Sequence, residues 1–265
     1  MKLEGRRAVV LGAAGKDNMG QVIAQRLVDE GAQVLVAGRK PEYLDEFVAK
    51  NPGKAFSALC DITDKAANDA LAAAAVKHMG GVDIAVNATG WGFLKPFLET
   101  TAEELQKIGD LQFKGPFLFF QSMIEAMKDG GSLIQISSAT ATIMLNDHAA
   151  YMGTKAGTDH VIRCIANEFG DRGIKANSIS PGLTETPMTA ASASTPGVWE
   201  AFLPGYPLGR IGTSDDIAAA VVWLSSDECF MTGQNLQVNG GLTLRRNPWK
   251  SEITASVMAH MKAAE

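Results

Sequence analysis

The sequence has few cysteines, and the three that it has, Cys60, Cys164 and Cys229, are widely separated. An odd number without regular spacing fits neither a disulfide framework nor a cysteine-based metal site, and it indicates reduced thiols in a cytoplasmic protein. The sequence also lacks a dense Lys/Arg run and an apolar run of membrane-spanning length. We therefore expect no metal, no membrane segment and no nucleic-acid partner.

What remains is the composition of an ordinary globular protein. The 265 residues are 46% hydrophobic and 20% charged, with a net charge of −5. This length suits one substantial core, so we expect a single domain over residues 1–265. The opening MKLEGRRAVVLGAAG leads quickly into glycines, which indicates a first strand rather than a signal peptide.

Short β-branched runs alternate with longer helical patterns along the whole chain. Strands are predicted at 7–12, 33–37, 55–60, 82–87, 132–137, 174–180 and 234–238. The predicted helices include 20–31, one long helix over 102–128 and a helix that carries Tyr151. This succession predicts an α/β fold, a Rossmann-type, doubly wound, seven-stranded parallel sheet with helices on both faces. Such a sheet binds its ligand beyond the carboxyl ends of the strands.

Three side chains after the fifth predicted strand suggest acid–base chemistry. Ser138 precedes Tyr151 by thirteen residues, and Lys155 follows Tyr151 by four, so a helix places the phenol and the ammonium on one face. A tyrosine with a pKa of about 10 needs roughly 4 kcal/mol of phenolate stabilisation to titrate near neutrality. A nearby ammonium supplies a free energy of that order, and a serine hydroxyl can hold a carbonyl oxygen. The alternative is a helix turn with a solvated lysine.

The first strand-to-helix turn, Gly12 to Gly20, is rich in glycine, which lets the backbone approach a pyrophosphate at a helix N-terminus. A tight connection without a ligand is the alternative. With these motifs in order, the chain resembles the short-chain dehydrogenase/reductase family over nearly its whole length. Further matching motifs are Asn87-Ala88-Thr89-Gly90, Ser180-Pro181-Gly182, Thr232-Gly233-Gln234 and Asn239-Gly240-Gly241.

The resemblance implies a nicotinamide dinucleotide cofactor and assigns catalytic roles to Ser138, Tyr151 and Lys155. The expected cofactor contacts are Gly12, Lys16, Asn18, Met19, Gly20, Arg39, Asp61, Ile62, Asn87, Ala88, Tyr151, Lys155, Pro181, Gly182, Thr184 and Thr186. Arg39 and Lys40 follow the second strand, where an acid would bind the ribose hydroxyls of NAD. Arg39 can pair with a phosphate instead, so NADP(H) is favoured over NAD(H). Ordinary surface charges are the alternative.

The sequence departs from the family pattern at two positions. The family's first glycine motif, which corresponds to the turn from Gly12 to Gly20, has a middle glycine where this chain has Asn18 or a displaced Gly15. We expect Asn18 to tolerate a left-handed backbone. Gln112 stands where the family has a catalytic asparagine whose carbonyl holds a water. Pro116 has no N–H to donate to that carbonyl, so we expect the carbonyl to be free for the same relay. The alternative is that Gly115-Pro116 only kinks the helix for packing and has no part in a relay.

The substrate site is less defined. The resemblance predicts a mobile lid over about 185–209, which contains Met188, Trp199 and Phe202. The other expected substrate contacts are Trp91, Thr140, Met144 and His148. The alternatives are that the apolar residues only pack the lid and that His148 has a structural role. The tail over 242–265 has an amphipathic segment, with Ile253, Val257 and Met261 on one face, that we expect to pack on a neighbouring subunit of a homotetramer or homodimer.

The resulting function is an NADP(H)-dependent interconversion of a ketone and a secondary alcohol, with a bulky apolar or cyclic substrate. One alternative is a 3-oxoacyl thioester reductase, which would need a cationic patch formed by residues such as Arg163, Arg172 and Arg210. A non-catalytic dinucleotide sensor is another. Enoyl reductases of this fold space the tyrosine and lysine further apart and do not fit.

Overall fold

In the computed structural model, residues 1–263 are described, and the last two residues of the predicted domain and tail, 264 and 265, lie outside them. Seven strands in this part of the chain form one parallel sheet, with the spatial order 55–59, 33–38, 7–11, 84–87, 131–136, 174–181 and 235–238. The order reverses between the strands 7–11 and 84–87, where a doubly wound sheet opens a crevice for its ligand. The predicted fold class is therefore confirmed.

The strands are β1 (Arg7–Leu11), β2 (Gln33–Gly38), β3 (Ala55–Leu59), β4 (Ile84–Asn87), β5 (Gly131–Ile136), β6 (Ile174–Pro181) and β9 (Asn235–Val238). Their β-branched residues are buried on both faces, as expected for a sheet covered by helices. A separate pair, β7 (Thr184–Glu185) and β8 (Gly212–Thr213), was not predicted. These two-residue strands bracket the predicted lid.

The helices are α1 (Met19–Asp29), α2 (Pro41–Lys50), α3 (Lys65–Met79), α4 (Ala102–Gly109), α5 (Gly115–Ala126), α6 (Ala149–Phe169), α7 (Ala190–Ala193), α8 (Val198–Phe202), α9 (Ser214–Ser225) and α10 (Lys250–Ala263). One apolar core lies between the sheet and the helices α1 and α9, and a second lies under α3, α5 and α6. No helix within residues 1–263 combines the length and apolar character needed to cross a bilayer.

The predicted long helix over 102–128 is wrong, because the chain leaves α-helical geometry between α4 and α5. Residues Asp110–Lys114 form a π-helical turn, in which the N–H of Gly115 donates to the carbonyl of Asp110. Pro116 follows in the first turn of α5 and cannot donate a backbone hydrogen bond. Single π turns of this kind occur mostly at functional sites, and this one carries Gln112.

The tail packs on its own chain. Ile253 joins a small apolar cluster with Phe202 and Tyr206, and a Cβ on Gly197, the N-cap residue of α8, would lie 2.6 Å from the carbonyl oxygen of Ser256 in α10. Met261, which was expected on the buried face, is 62% exposed. The tail therefore covers the predicted lid of the same subunit, and packing on a neighbouring subunit stays a prediction.

Candidate active site

The glycine turn is built around close backbone contacts between β1, β4 and α1. A Cβ on Gly12 would lie 2.6 Å from the carbonyl carbon of Ala88, and Gly12 has a φ of +102° that other residues rarely adopt. A Cβ on Gly20 would lie 2.5 Å from the carbonyl oxygen of Gly12. These contacts leave a concave backbone surface at the start of α1, where free N–H groups favour an anion. The residues present therefore fit a bound pyrophosphate.

Asn18 takes a different role from the one expected. Its backbone is extended, with a φ of −74°, and the left-handed residue of the turn is Asp17. The Asn18 side chain caps α1 by accepting from the N–H of Gln21 at 2.9 Å. Its amide also donates to the carbonyl of Gly12 at 2.9 Å. Asn18 therefore closes the turn by hydrogen bonding, and the expectation of a left-handed backbone there is wrong.

A cavity of about 900 Å³ lies along the carboxyl edge of β2, β3 and β4. Arg39 and Asp61, two predicted cofactor contacts, line it. Asp61 accepts hydrogen bonds from the N–H and hydroxyl of Thr63, and these bonds, with the charge of Arg39, lower the pKa of its carboxyl against the effect of burial. Trp91, predicted as a substrate contact, lies on the wall of this cavity, with the Lys107 ammonium 4.9 Å from its ring centroid. The cavity lining combines the cations of Arg39 and Lys107 with the carboxylates of Asp61, Glu103 and Asp110, and it does not include the glycine turn or Tyr151. The cavity therefore fits one end of a dinucleotide.

Lys16, Ile62 and Asn87 are further predicted cofactor contacts, and they differ in burial. Lys16 is exposed, whereas Ile62 is buried beside the cavity. Asn87 is fully buried at the end of β4, where its amide donates to Gln135 at 2.9 Å and its oxygen accepts from Thr89. The Asn87 side chain is therefore occupied by the protein itself.

Ser138, Tyr151 and Lys155 come together beyond the carboxyl end of β5. The Lys155 ammonium lies 5.6 Å from the centroid of the Tyr151 ring and donates to the carbonyl of Ile136 at 2.7 Å. The Ser138 oxygen accepts from the N–H of Thr140 at 3.2 Å. Thr140, predicted as a substrate contact, therefore helps to orient Ser138, whose hydroxyl proton can point toward a carbonyl oxygen.

The pKa of Tyr151 differs from the expectation. Burial raises it, a hydrogen bond from Ser138 lowers it, and the charge of Asp159 raises it further, so that it lies above its usual value. The expected net fall of this pKa is therefore not found, and stabilisation of the phenolate by the Lys155 ammonium stays a prediction. Burial lowers the pKa of Lys155 to about 8, against the opposing effect of Asp159. At neutral pH the site therefore holds a protonated phenol and an ammonium, which is the state that can donate a proton.

Asp159 was missed by sequence reasoning. It lies one turn beyond Lys155 on α6, and its Oδ2 atom accepts from Ser137 at 2.8 Å and from Asn235 at 2.6 Å. Its Oδ1 atom is buried without a partner in residues 1–263. The i, i+4 spacing from Lys155 was a usable signal, but the bond to Asn235 joins residues far apart in the chain.

Gln112 is buried in the π turn and uses all of its polar atoms. Its side-chain oxygen accepts from the N–H of Trp91 at 2.9 Å, and its amide donates to Thr154 at 3.0 Å. Its carbonyl accepts from the hydroxyl of Thr158 at 2.6 Å. The carbonyl is thus bonded across to α6, so the expectation that it is free is wrong, whereas its predicted part in a water relay stays a prediction.

The segment after β6 carries four predicted cofactor contacts. Pro181 ends β6, and a Cβ on Gly182 would lie 2.5 Å from the hydroxyl of Tyr206. That hydroxyl accepts from the N–H of Leu183 at 2.6 Å, and burial raises the pKa of Tyr206 to about 12. Thr184 donates to the carbonyl of Gly182 at 3.0 Å. Tyr206, a residue of the predicted lid, therefore holds this turn in place.

The remaining predicted contacts of this region differ in exposure. Thr186 is bonded through its N–H to Thr189. Met144 and Met188 are 64% and 63% exposed. Phe202 is buried, and Trp199 packs with it against Tyr206 and Leu242. The structure thus places Trp199 and Phe202 in the packing of the lid.

His148 caps the N-terminus of α6, directly against Tyr151. The two rings are stacked, with centroids 4.2 Å apart and planes inclined by 21°. Nδ1 of His148 bonds to the carbonyl of Phe93 at 2.8 Å. This predicted substrate contact therefore lies beside the candidate catalytic tyrosine.

Comparisons with known proteins agree with this geometry. A family model described as enoyl-(acyl carrier protein) reductase matches residues 12–243. The 3beta-hydroxysteroid dehydrogenase 1 of Eggerthella lenta is 33% identical over 250 residues, which are 91% of this chain and 95% of that protein. D-threitol dehydrogenase of Mycolicibacterium smegmatis is 31% identical over 252 residues, which are 92% of this chain and 95% of that protein.

A solved short-chain type dehydrogenase/reductase from Mycobacterium ulcerans has a TM-score of 0.89 and 29% identity, and the match covers 94% of this chain and 93% of that one. The sheet order, the matched family model and the dehydrogenase relatives lead to one assignment. The chain belongs to the short-chain dehydrogenase/reductase family of oxidoreductases, which bind a nicotinamide dinucleotide.

Proposed function

We propose that this protein is an NADP(H)-dependent oxidoreductase that interconverts a ketone and a secondary alcohol. The observation that carries the proposal is the position of Tyr151, with Lys155 buried beside its ring and Ser138 facing its hydroxyl. In reduction, NADPH, a proton and the ketone give NADP⁺ and the alcohol. The chemistry supplied by the bound cofactor is hydride transfer to the carbonyl carbon.

The chain's own residues supply the proton and the charge stabilisation. Ser138 donates to the carbonyl oxygen and holds it against the phenol. Tyr151 gives its proton to that oxygen as negative charge develops there. The Lys155 ammonium stabilises the resulting phenolate, and Gln112 supports the site from the π turn.

Two basic residues follow β2, and we propose that Arg39 selects NADP(H). Arg39 lines the cavity, and a guanidinium can bind a phosphate through two parallel hydrogen bonds. Lys40 instead lies over the ring of Tyr43, 5.7 Å from its centroid. Arg39 is therefore the residue that we assign to the 2′-phosphate.

For the substrate we propose a bulky apolar or cyclic carbonyl compound. Trp91 on the cavity wall and the exposed Met188 over Gly92 provide apolar surface on the segment that follows β4, and the similar protein from Eggerthella lenta is named as a hydroxysteroid dehydrogenase. We further propose a cytoplasmic homotetramer or homodimer. The partly exposed rings of Phe113 and Phe117 are apolar surface that a second copy of this chain would cover.

The thioester alternative has less support. Arg172 donates to the carbonyls of Ile124 and Met127, and Arg210 is paired with Asp216 at 2.7 Å. Because these two arginines are engaged within the protein, only the exposed Arg163 of the three is left for the cationic patch that a phosphopantetheine carrier would need.

The experiment measures NADPH and NADH oxidation with a panel of cyclic, aromatic and β-keto carbonyl compounds. We expect turnover with NADPH that is lost in Tyr151→Phe, because that variant keeps the ring and lacks the proton. Arg39→Ala should raise the KM for NADPH about 10- to 100-fold, the effect of one lost charge-assisted contact, and leave that for NADH nearly unchanged. Lys40→Ala is the matched control. No turnover despite NADPH binding would favour the sensor alternative, and equal KM values for both cofactors would refute the role of Arg39.

A further inference from the structure

The imidazole of His148 is held in one tautomer. Its Nδ1 atom lies 2.8 Å from the carbonyl oxygen of Phe93, and a carbonyl oxygen only accepts hydrogen bonds. Nδ1 must therefore carry the proton, which leaves Nε2 with a free lone pair. Burial lowers the pKa of His148 to about 4, so the ring is neutral at physiological pH.

The free nitrogen is not fully enclosed. His148 is only 9% exposed, and Nε2 makes no hydrogen bond within residues 1–263. The fully enclosed polar side-chain atoms without a partner in this part of the chain belong to Asp159, Ser178 and Trp199. Since Nε2 is not one of them, it keeps some solvent access and is free to accept a hydrogen bond.

Its position ties this acceptor to the reacting group. The His148 ring lies face to face with the Tyr151 ring, at a centroid distance of 4.2 Å. The imidazole is therefore a direct neighbour of the candidate catalytic phenol. The nearby Phe93 ring packs against Trp91 in a tilted arrangement, with centroids 4.6 Å apart, and Met188 lies over Gly92. The acceptor therefore stands among apolar surfaces.

We infer that Nε2 of His148 is a fixed hydrogen-bond acceptor that selects carbonyl substrates with a hydroxyl group on the carbon next to the reacting carbonyl. This inference rests on the proposed function and narrows its substrate class to cyclic or bulky α-hydroxy ketones and the corresponding vicinal diols. A substrate without that hydroxyl displaces water from Nε2 and leaves the acceptor unpaired. The similar D-threitol dehydrogenase is named for a substrate with vicinal hydroxyl groups.

The kinetic test compares 2-hydroxycyclohexanone with 2-methylcyclohexanone, which differ by a hydroxyl and a methyl of similar size. We expect the full-length protein with NADPH to favour the hydroxy ketone by about 10- to 100-fold in kcat/KM. In His148→Leu this ratio should fall to near unity. His148→Gln, which can keep a donor and an acceptor, should retain most of it. His160→Leu, an exposed histidine of the same helix, is the matched control and should keep the wild-type ratio.

A purely structural His148 gives a different result. If the imidazole only supports the Tyr151 ring, His148→Leu lowers kcat/KM for both ketones by the same factor, and the unchanged ratio overturns the inference. A wild-type ratio near unity overturns it as well. Both results leave the proposed ketone reduction intact, because they still include turnover.

A binding measurement covers the case without turnover. Calorimetry on the protein with NADP⁺ compares cyclohexane-1,2-diol with 2-methylcyclohexanol. We expect the diol to bind about 10- to 100-fold more tightly, with the difference lost in His148→Leu. Absence of turnover with both ketones counts against the proposed function, whereas equal affinities, or no binding of either alcohol, overturn the inference about His148.

Discussion

Replacing Asp159 by asparagine removes a buried negative charge one helical turn from Lys155. The pKa of Lys155, lowered by burial to about 8, is held up by that carboxylate. With the charges roughly 6 to 8 Å apart and an effective dielectric constant near 20, their interaction is about 2 to 3 kcal/mol. We therefore expect the pKa of Lys155 to fall in Asp159→Asn.

The sign of the effect on activity follows from the protonated state. Lys155 stabilises the phenolate only as an ammonium, so kcat/KM for ketone reduction falls as the pH rises through the pKa of Lys155. The charge of Asp159 also raises the pKa of Tyr151, so its loss makes the phenol ionise at lower pH. Both changes move the alkaline limb of the profile in the same direction, toward lower pH.

The assay is the pH dependence of kcat/KM for a ketone with NADPH, because this parameter reports the pKa values of the free enzyme. Glu168→Gln, on the exposed face of α6, is the matched control and should leave the limb in place. Circular dichroism and the affinity for NADPH check that Asp159→Asn is folded. An unmoved alkaline limb in a folded variant would refute the coupling between Asp159 and Lys155.

Two further predictions concern stability. Gly12→Ala should lower the free energy of unfolding by about 3 kcal/mol and the Tm by about 6 to 12 °C, because its Cβ meets Ala88 at 2.6 Å on a backbone with positive φ. Gly53→Ala, also at positive φ but with open space, isolates the backbone effect, and an equal loss in both variants would contradict the steric reasoning. Asp83 forms an ion pair with Arg7 at 2.6 Å. Burial raises the pKa of the Asp83 carboxyl, but the hydrogen bonds and the charge of Arg7 outweigh burial, so this pKa lies below its usual value. Its stabilisation is therefore present at neutral pH and lost as the pH falls below the usual carboxyl range. Asp83→Ala should reduce stability by about 3 kcal/mol at pH 7 and by less at pH 3, and a pH-independent loss in urea unfolding would contradict this.

Local sequence patterns determined the fold class and much of the position of the site. The β-branched runs predicted the parallel strands because their burial on both faces needs only continuous apolar character. The spacing of Tyr151 and Lys155 predicted their common helix face, since residues four apart on a helix are neighbours whatever surrounds them. The glycine at position 12 marked the close approach of β1 to its neighbours for the same local reason.

Local sequence patterns did not predict where the chain departs from ideal α-helical geometry. The π turn over Asp110–Lys114 interrupts a pattern that reads as one helix, and Gln112 within it bonds to Trp91, Thr154 and Thr158. Asn18 caps α1 although its residue type suggested a left-handed backbone. In both places the choice depends on hydrogen-bond partners that only the folded chain brings within reach.

Tertiary structure alone decided the electrostatics of the site. Sequence reasoning placed an ammonium beside Tyr151 and expected its pKa to fall, but burial raises it, since removing water disfavours the phenolate. The bonds from Asp159 to Asn235 and from His148 to Phe93 join segments 76 and 55 residues apart. Residue types and spacing determined which groups could react, whereas burial and long-range contacts, which no local pattern encodes, decided their protonation and their partners.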